Sequence, residues 1–249
     1  MIKHTADNSR GAVEHTLGLS NLILFFSLPF KPAGSRNLFL NGHIALFVEG
    51  TIYQVYDPKR LKVDFLFSRM PASDWLFGDG GSWVYRNSAS PRFTHVYLYG
   101  KCESRRTIVY YAGVDVASAV MQQVKASIFD DESRFGRGDS RFNILANNCS
   151  SITAAALNRG DLVEARALNR IPALLFKSFV TGCAREYDVR VGKFAMYDNS
   201  AFELHRYCIG TGMTHPEKAV DRWIVAQTDR RCTRRPFWPL RSTAVETEK

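Results

Sequence analysis

Two apolar runs separated by only two residues set the first constraint: His43-Ile-Ala-Leu-Phe-Val48, then Glu49-Gly50, then Thr51-Ile-Tyr-Gln-Val-Tyr56. Both runs are rich in β-branched and aromatic residues, and a two-residue link ending in glycine predicts a tight antiparallel hairpin. Asp57-Pro58 ends the return strand, because proline cannot donate to a sheet ladder. Side chains alternate along each strand, so the register of the turn decides what stands beside His43. Gln54, Val55 and Tyr56 are all within reach of that choice. Gln54 is the best polar neighbour, with Tyr56 and Asp57 next.

A second stretch carries chemistry. Phe142-Asn-Ile-Leu-Ala-Asn-Asn-Cys149-Ser-Ser-Ile-Thr-Ala-Ala-Ala-Leu157-Asn-Arg-Gly160 reads as an apolar approach, two asparagines, a cysteine and a helix. Asn148 is a good N-cap, since its side-chain oxygen can accept a first-turn amide. Ile152, Ala155, Ala156 and Leu157 follow at helical spacing, and Gly160 stands where a C-terminal cap belongs. Cys149 is thereby set in the first turn, where the helix dipole favours a thiolate and so a low-pKa nucleophile. A histidine able to share the proton would complete the pair, and His43 is the candidate.

The rest of the chain frames these two elements. Residues 1–16 are polar and read as a loose arm, and Ser20 to Phe30 as a buried strand closed by Pro29, Pro32 and Gly34. Residues 57–93 are long and loop-like, with Trp75, Phe77, Trp83 and Tyr85 around Gly78-Asp-Gly-Gly81. These aromatics suit either a folded substrate-side insertion or the sealing of a core edge. The glycine cluster lacks the lysine and hydroxyl residue of a phosphate-binding loop. Strands are expected at Thr94 to Tyr99 and Thr107 to Tyr111. Asp115 then caps a helix with Val116, Val120, Val124 and Ile128 on one face, and Asp130 to Ser140 is a polar loop. Leu162 to Phe179 holds one or two helices interrupted by Pro172. Tyr187 to His205 reads as two short strands and Pro216 to Ala226 as a further helix, before a basic, extended tail.

Charge and cysteine usage narrow the setting. A net charge of +9 favours an anionic partner, yet no arginine-rich block interleaved with aromatics stands out, so nucleic acid is not expected. Cys102, Cys149, Cys183, Cys208 and Cys232 are scattered and odd in number, without a CxxC pair. That argues against a zinc site and leaves at least one cysteine out of any disulfide set. No cofactor or metal is expected. Leu17 to Phe30 is apolar but too short to span a bilayer, and Asp7 and Glu14 before it make a poor signal peptide.

Taken together, Gly42-His43-Ile-Ala-Leu-Phe-Val, the turn, Thr-Ile-Tyr-Gln, and Asn-Asn-Cys149-Ser-Ser-Ile-Thr at a helix start resemble the circularly permuted branch of the NlpC-type papain-like superfamily. There the histidine strand precedes an Asn-Cys motif that opens a later helix, as in this order. The resemblance covers about Ser20 to Gly160. It implies an α+β fold, a papain-like core whose antiparallel sheet packs against the cysteine helix, over residues 1–160. Residues 161–249 are then a C-terminal extension packed on that core, ending in the basic tail. It implies Cys149 as nucleophile and His43 as base. The family's third position, on the strand after the histidine, is His, Asn or Gln, which points to Gln54.

The superfamily includes cell-wall amidases and endopeptidases, antibacterial toxins built from them, and lecithin:retinol-acyltransferase-like enzymes. The Glu-His-Phe that follows the cysteine in the acyltransferase group is missing here, which argues against that branch. The first expectation is thus a cysteine hydrolase cleaving amide bonds in peptidoglycan peptides, delivered by a secretion system to the periplasm of a target cell. Its partners would be the anionic wall polymer or its peptides, with an immunity protein or a secretion-system component. A related thiol enzyme, a deamidase of a host protein or a lipid acyl hydrolase, is the alternative. A non-enzymatic basic adaptor with Cys149 merely packed is the third.

Overall fold

The computed structural model describes residues 2–4, 14–15, 18–27, 31–32, 42–55, 67–72, 84–87, 90–95, 107–140, 143, 147–196, 202–203, 220–224 and 226. Its strands are β1 (Ile2–His4), β2 (Leu22–Ser27), β3 (Lys31–Pro32), β4 (His43–Val48), β5 (Thr51–Val55), β6 (Phe67–Pro71), β7 (Val84–Asn87), β8 (Ser90–His95), β9 (Thr107–Val114), β10 (Val189–Met196) and β11 (Phe202–Glu203). The helices are α1 (Ser118–Gly136), α2 (Cys149–Arg159) and α3 (Pro172–Cys183), with a 3-10 turn at Ala167–Arg170. One large sheet has the order β1-β10-β9-β2-β4-β5-β6. All its neighbours are antiparallel except β1, which runs parallel to β10. Two small pairs, β11-β3 and β7-β8, form sheets of their own, with β7 lying against β6. Helices and a mainly antiparallel sheet make this an α+β fold.

The centre of the sheet explains the unbroken apolar runs. Every residue of β2 and β4 is buried, because both faces of these strands are covered. On one face Leu22, Leu24, Phe26, Ile44, Leu46, Val48, Tyr110, Ala112 and Val114 join a core with residues of all three helices. Alternation sends Ile23, Phe25, Ala45, Phe47, Val109 and Tyr111 to the other face, and these too are buried. The hairpin closes as expected. Glu49 and Gly50 both have positive φ (45° and 88°), the signature of the turn whose twist matches the flanking strands. Lys125 of α1 donates to the Glu49 carboxylate across that turn.

Several expectations need correction. Ile2–His4 is no loose arm, since it adds an edge strand beside β10. Nor are residues after Gly160 only an extension on a finished core. β10 pairs with β9 inside the large sheet, and α3 packs on β2 and β9. The segment 57–93 supplies β6, the opposite edge of the sheet, as well as β7 and the start of β8. The strand near residue 94 begins at Ser90 and is described only to His95.

Asp115 does not cap α1, whose N-cap is Ala117 without a side-chain bond. Instead the Asn21 side chain holds the approach, accepting from the Val116 amide (2.9 Å) and donating to its carbonyl (2.8 Å). The polar segment from Asp130 continues α1 to Gly136, because Phe135 extends the buried stripe. Ion pairs to Arg159, Arg134 and Arg69 line its polar side. Pro172 starts α3 at its first turn, where proline's missing amide costs nothing. Trp75, Phe77, Gly78 to Gly81, Trp83, Tyr56, Asp57, Cys102, Cys208, Cys232 and the basic tail lie outside the described residues.

Candidate active site

The cysteine helix starts where the sequence places it. Asn148 is the N-cap of α2, and its Oδ1 accepts the amides of Ser150 and Ser151 at 2.9 Å each. Ser151 answers by accepting the Asn148 amide through Oγ at 2.8 Å, a reciprocal capping box. One first-turn donor is not used by this cap: the amide of Cys149 itself. The approach is also pinned, for Asn143 and Asn147 exchange two main-chain bonds (3.0 and 2.8 Å), and Asn147 Nδ2 donates to Ser140 Oγ at 2.7 Å. Asn148→Ala should cost about 1–2 kcal/mol through the lost cap, read as a lowered Tm in a thermal melt.

At the other end of α2, the left-handed residue is Asp161 (φ 56°), while Gly160 has φ −90°. Glycine at 160 is required by packing. A Cβ there would lie 2.8 Å from Val124 Cγ2 and 3.3 Å from Val120 Cγ1, so the bare α-carbon lets α1 and α2 approach closely.

β4 and β5 bring in the other two candidates. The register sets Leu46 opposite Tyr53, Phe47 opposite Ile52 and Val48 opposite Thr51. One further step sets Gln54 opposite Ala45, on the His43 face and one diagonal position away. His43 is 7% and Gln54 2% exposed, so their contact is shielded from water. His43 Nε2 lies 3.0 Å from Gln54 Oε1. With the amide oxygen accepting, Nε2 carries the hydrogen and Nδ1 is the basic nitrogen. Gln54→Ala removes one buried hydrogen bond and no charge. Turnover should fall about 2- to 10-fold, and full activity in a steady-state assay would release Gln54 from this role.

The sulfur comes to the same strand end from the face on which α2 packs, that of Ile44 and Leu46, whereas strand alternation gives His43 and Gln54 to the face of Ala45. α2 packs on β4, and the main-chain amide of Ile44, the residue after His43, donates to Cys149 Sγ. Ser150 Oγ stands 4.0 Å from the sulfur. The expected depressed pKa is not what this environment produces. Burial pushes the Cys149 thiol up, and the amides of Ile44, Ser150 and Cys149 with the Ser150 hydroxyl oppose that rise in part. Cys149 is half-buried, and the atoms packed round its sulfur keep the charged form from water. A raised pKa makes the thiolate scarcer at neutral pH and moves its appearance upward. Alkylation by iodoacetamide should thus keep accelerating above pH 7, and a plateau already reached below pH 6 would contradict it.

Cys183, the other described free cysteine, is buried in the core, 3.8 Å from the Leu162 carbonyl, and burial pushes its thiol up as well. Among the described residues no cluster of three or more His, Cys, Asp or Glu side chains could hold a metal ion. Among them, too, no helix is long and apolar enough to cross a membrane.

What sequence reasoning missed is the tether behind the site. Asn148 Nδ2 donates to the Arg170 carbonyl at 3.1 Å, tying the cysteine helix to the turn Ala167–Arg170. No local pattern announces a bond between residues so far apart. Neither a protein-family model, nor a curated protein, nor a solved structure matches this chain.

Proposed function

We propose that this chain is a cysteine hydrolase of the permuted NlpC-like, papain-like type, cleaving amide bonds in peptidoglycan peptides as an antibacterial effector. The observation that carries the reading is a buried His43–Gln54 pair on the strand whose Ile44 amide reaches Cys149 Sγ at a capped helix start. His43 and Gln54 touch each other, and Cys149 meets the same strand at the next residue, Ile44, so the three residue types that thiol hydrolysis needs are gathered about one strand end.

The chemistry follows from these groups. Because burial keeps the resting thiol protonated, His43 Nδ1 takes the proton as Sγ attacks the amide carbon. Negative charge grows on the carbonyl oxygen, and the Cys149 amide, which the cap does not use and which faces the sulfur at rest, is the donor that turns to it. The C–N bond breaks, the imidazolium gives its proton to the leaving amine, and the acyl group stays on sulfur as a thioester. A water molecule, losing its proton to His43, attacks that thioester. The acid departs and the thiol is restored. Gln54 keeps the ring in one tautomer throughout.

The net charge of +9 suits an anionic wall polymer. Incubating the purified protein with sacculi and identifying released fragments by mass spectrometry tests the substrate class. New amine and carboxyl termini on stem peptides, absent with Cys149→Ala, are expected. Intact sacculi alongside a His43-dependent thiol would redirect the reading to a deamidase or acyl hydrolase.

A further inference from the structure

Four large hydrophobic side chains are exposed among the described residues: Leu19, Phe129, Leu168 and Ile171. Two of these sit together, on the turn that bonds to the residue preceding Cys149. Leu168 belongs to the turn Ala167–Arg170 and Ile171 follows it, 55% and 43% exposed. The Arg170 carbonyl between them accepts from Asn148, the residue before the cysteine, at 3.1 Å.

This exposure does not come from a loosely held loop. Asn169 points inward and is 2% exposed, its Nδ2 donating to the Glu164 carbonyl (2.8 Å) and its Oδ1 accepting from Ser178 of α3 (2.9 Å). The Ile171 amide closes the turn on Leu168, and Pro172 begins α3 directly afterwards. A turn fixed from inside, bonded to the cysteine helix and still presenting two bare aliphatic side chains keeps them in water at a cost.

We infer that Leu168 and Ile171 form the wall that receives an apolar side chain or acyl segment next to the scissile bond, with Asn148 holding that wall against the nucleophile. This rests on the reading of Cys149 as nucleophile. Any acyl group bonded to its sulfur must extend from the helix start that the turn flanks, so the wall meets the substrate and sets a preference for apolar groups there. Leu168 and Ile171 are thus specificity residues, and Asn148 is a positioning residue.

The test compares alkylation rates of Cys149 in the full chain by iodoacetamide and by N-hexyl-iodoacetamide. In both reagents sulfur displaces iodide and the thiol proton leaves, so the ratio isolates the hexyl group. Normalised to the same ratio for glutathione, wild type should favour the hexyl reagent about tenfold, the gain from a few buried methylenes. The double variant Leu168→Ser with Ile171→Ser should return the ratio to that of glutathione. Phe129→Ser, an exposed hydrophobic of α1, should leave it alone. Asn148→Asp keeps the cap acceptor but puts an oxygen where Nδ2 faces the Arg170 carbonyl, and should lower the ratio. An unchanged ratio in the double variant overturns the wall. His43→Ala, run in parallel with iodoacetamide, reports on the nucleophile reading alone.

Discussion

Replacing Cys149 by alanine should remove hydrolysis almost completely, by about 10⁵-fold or more, while the protein still melts cooperatively near the wild-type temperature. Without sulfur no thioester can form, and what remains is any help from carbonyl polarisation and binding. The structural cost is small because alanine is a good helix former and the side chain is only half-buried. Losing one partly packed sulfur should cost about 1 kcal/mol. The Asn148 cap and the Ile44 strand stay in place. Mass spectrometry of protein treated with a thiol reagent should place the label on Cys149 and spare Cys183, which burial shuts away. Hydrolysis at the wild-type rate in Cys149→Ala would remove the catalytic reading altogether.

The second large effect belongs to His43. Converting it to alanine should lower kcat by about 10²- to 10⁴-fold, the range for a positioned acid–base group. A raised thiol pKa makes this dependence strong, because the proton must be taken during attack and returned to the amine. Solvent can substitute only where hydroxide is abundant, so the deficit should narrow as pH rises. Alanine also takes a donor from the buried oxygen of Gln54, at a cost of about 1–3 kcal/mol in stability, so melting must be measured alongside. His43→Gln fills more of the space and should recover melting without recovering turnover. Undiminished kcat in His43→Gln would mean that another base serves Cys149.

Much of this site was legible because its parts are local. A glycine after Glu49 dictates a two-residue turn, and that turn sets the register which puts Gln54 diagonal to His43. Asn148 followed by Ser151 is a cap readable within four residues. Other expectations failed where a distant group supplied what a neighbour was expected to supply. Asp115 seemed the natural cap of α1, but Asn21, far off in sequence and set beside Val116 by the pairing of β2 with β9, holds that approach. The charged segment after Asp130 looked like a loop, yet Phe135 has a core to enter and draws the helix on.

By itself, then, the sequence determined the hairpin, the capped cysteine helix, and the identity of the three residues that could do thiol chemistry. Each depends on backbone preferences and hydrogen bonds among residues a few positions apart. Tertiary structure alone decided that Ile2–His4 and Val189–Met196 complete one sheet with the hairpin. It also decided that Ile44 meets the sulfur, that burial outweighs the helix start in setting the thiol pKa, and that the turn carrying Leu168 and Ile171 is bonded to the cap of the cysteine helix. These outcomes turn on which apolar surfaces exclude water together. Desolvation depends on every atom packed around a group, and most of those atoms come from elsewhere in the chain.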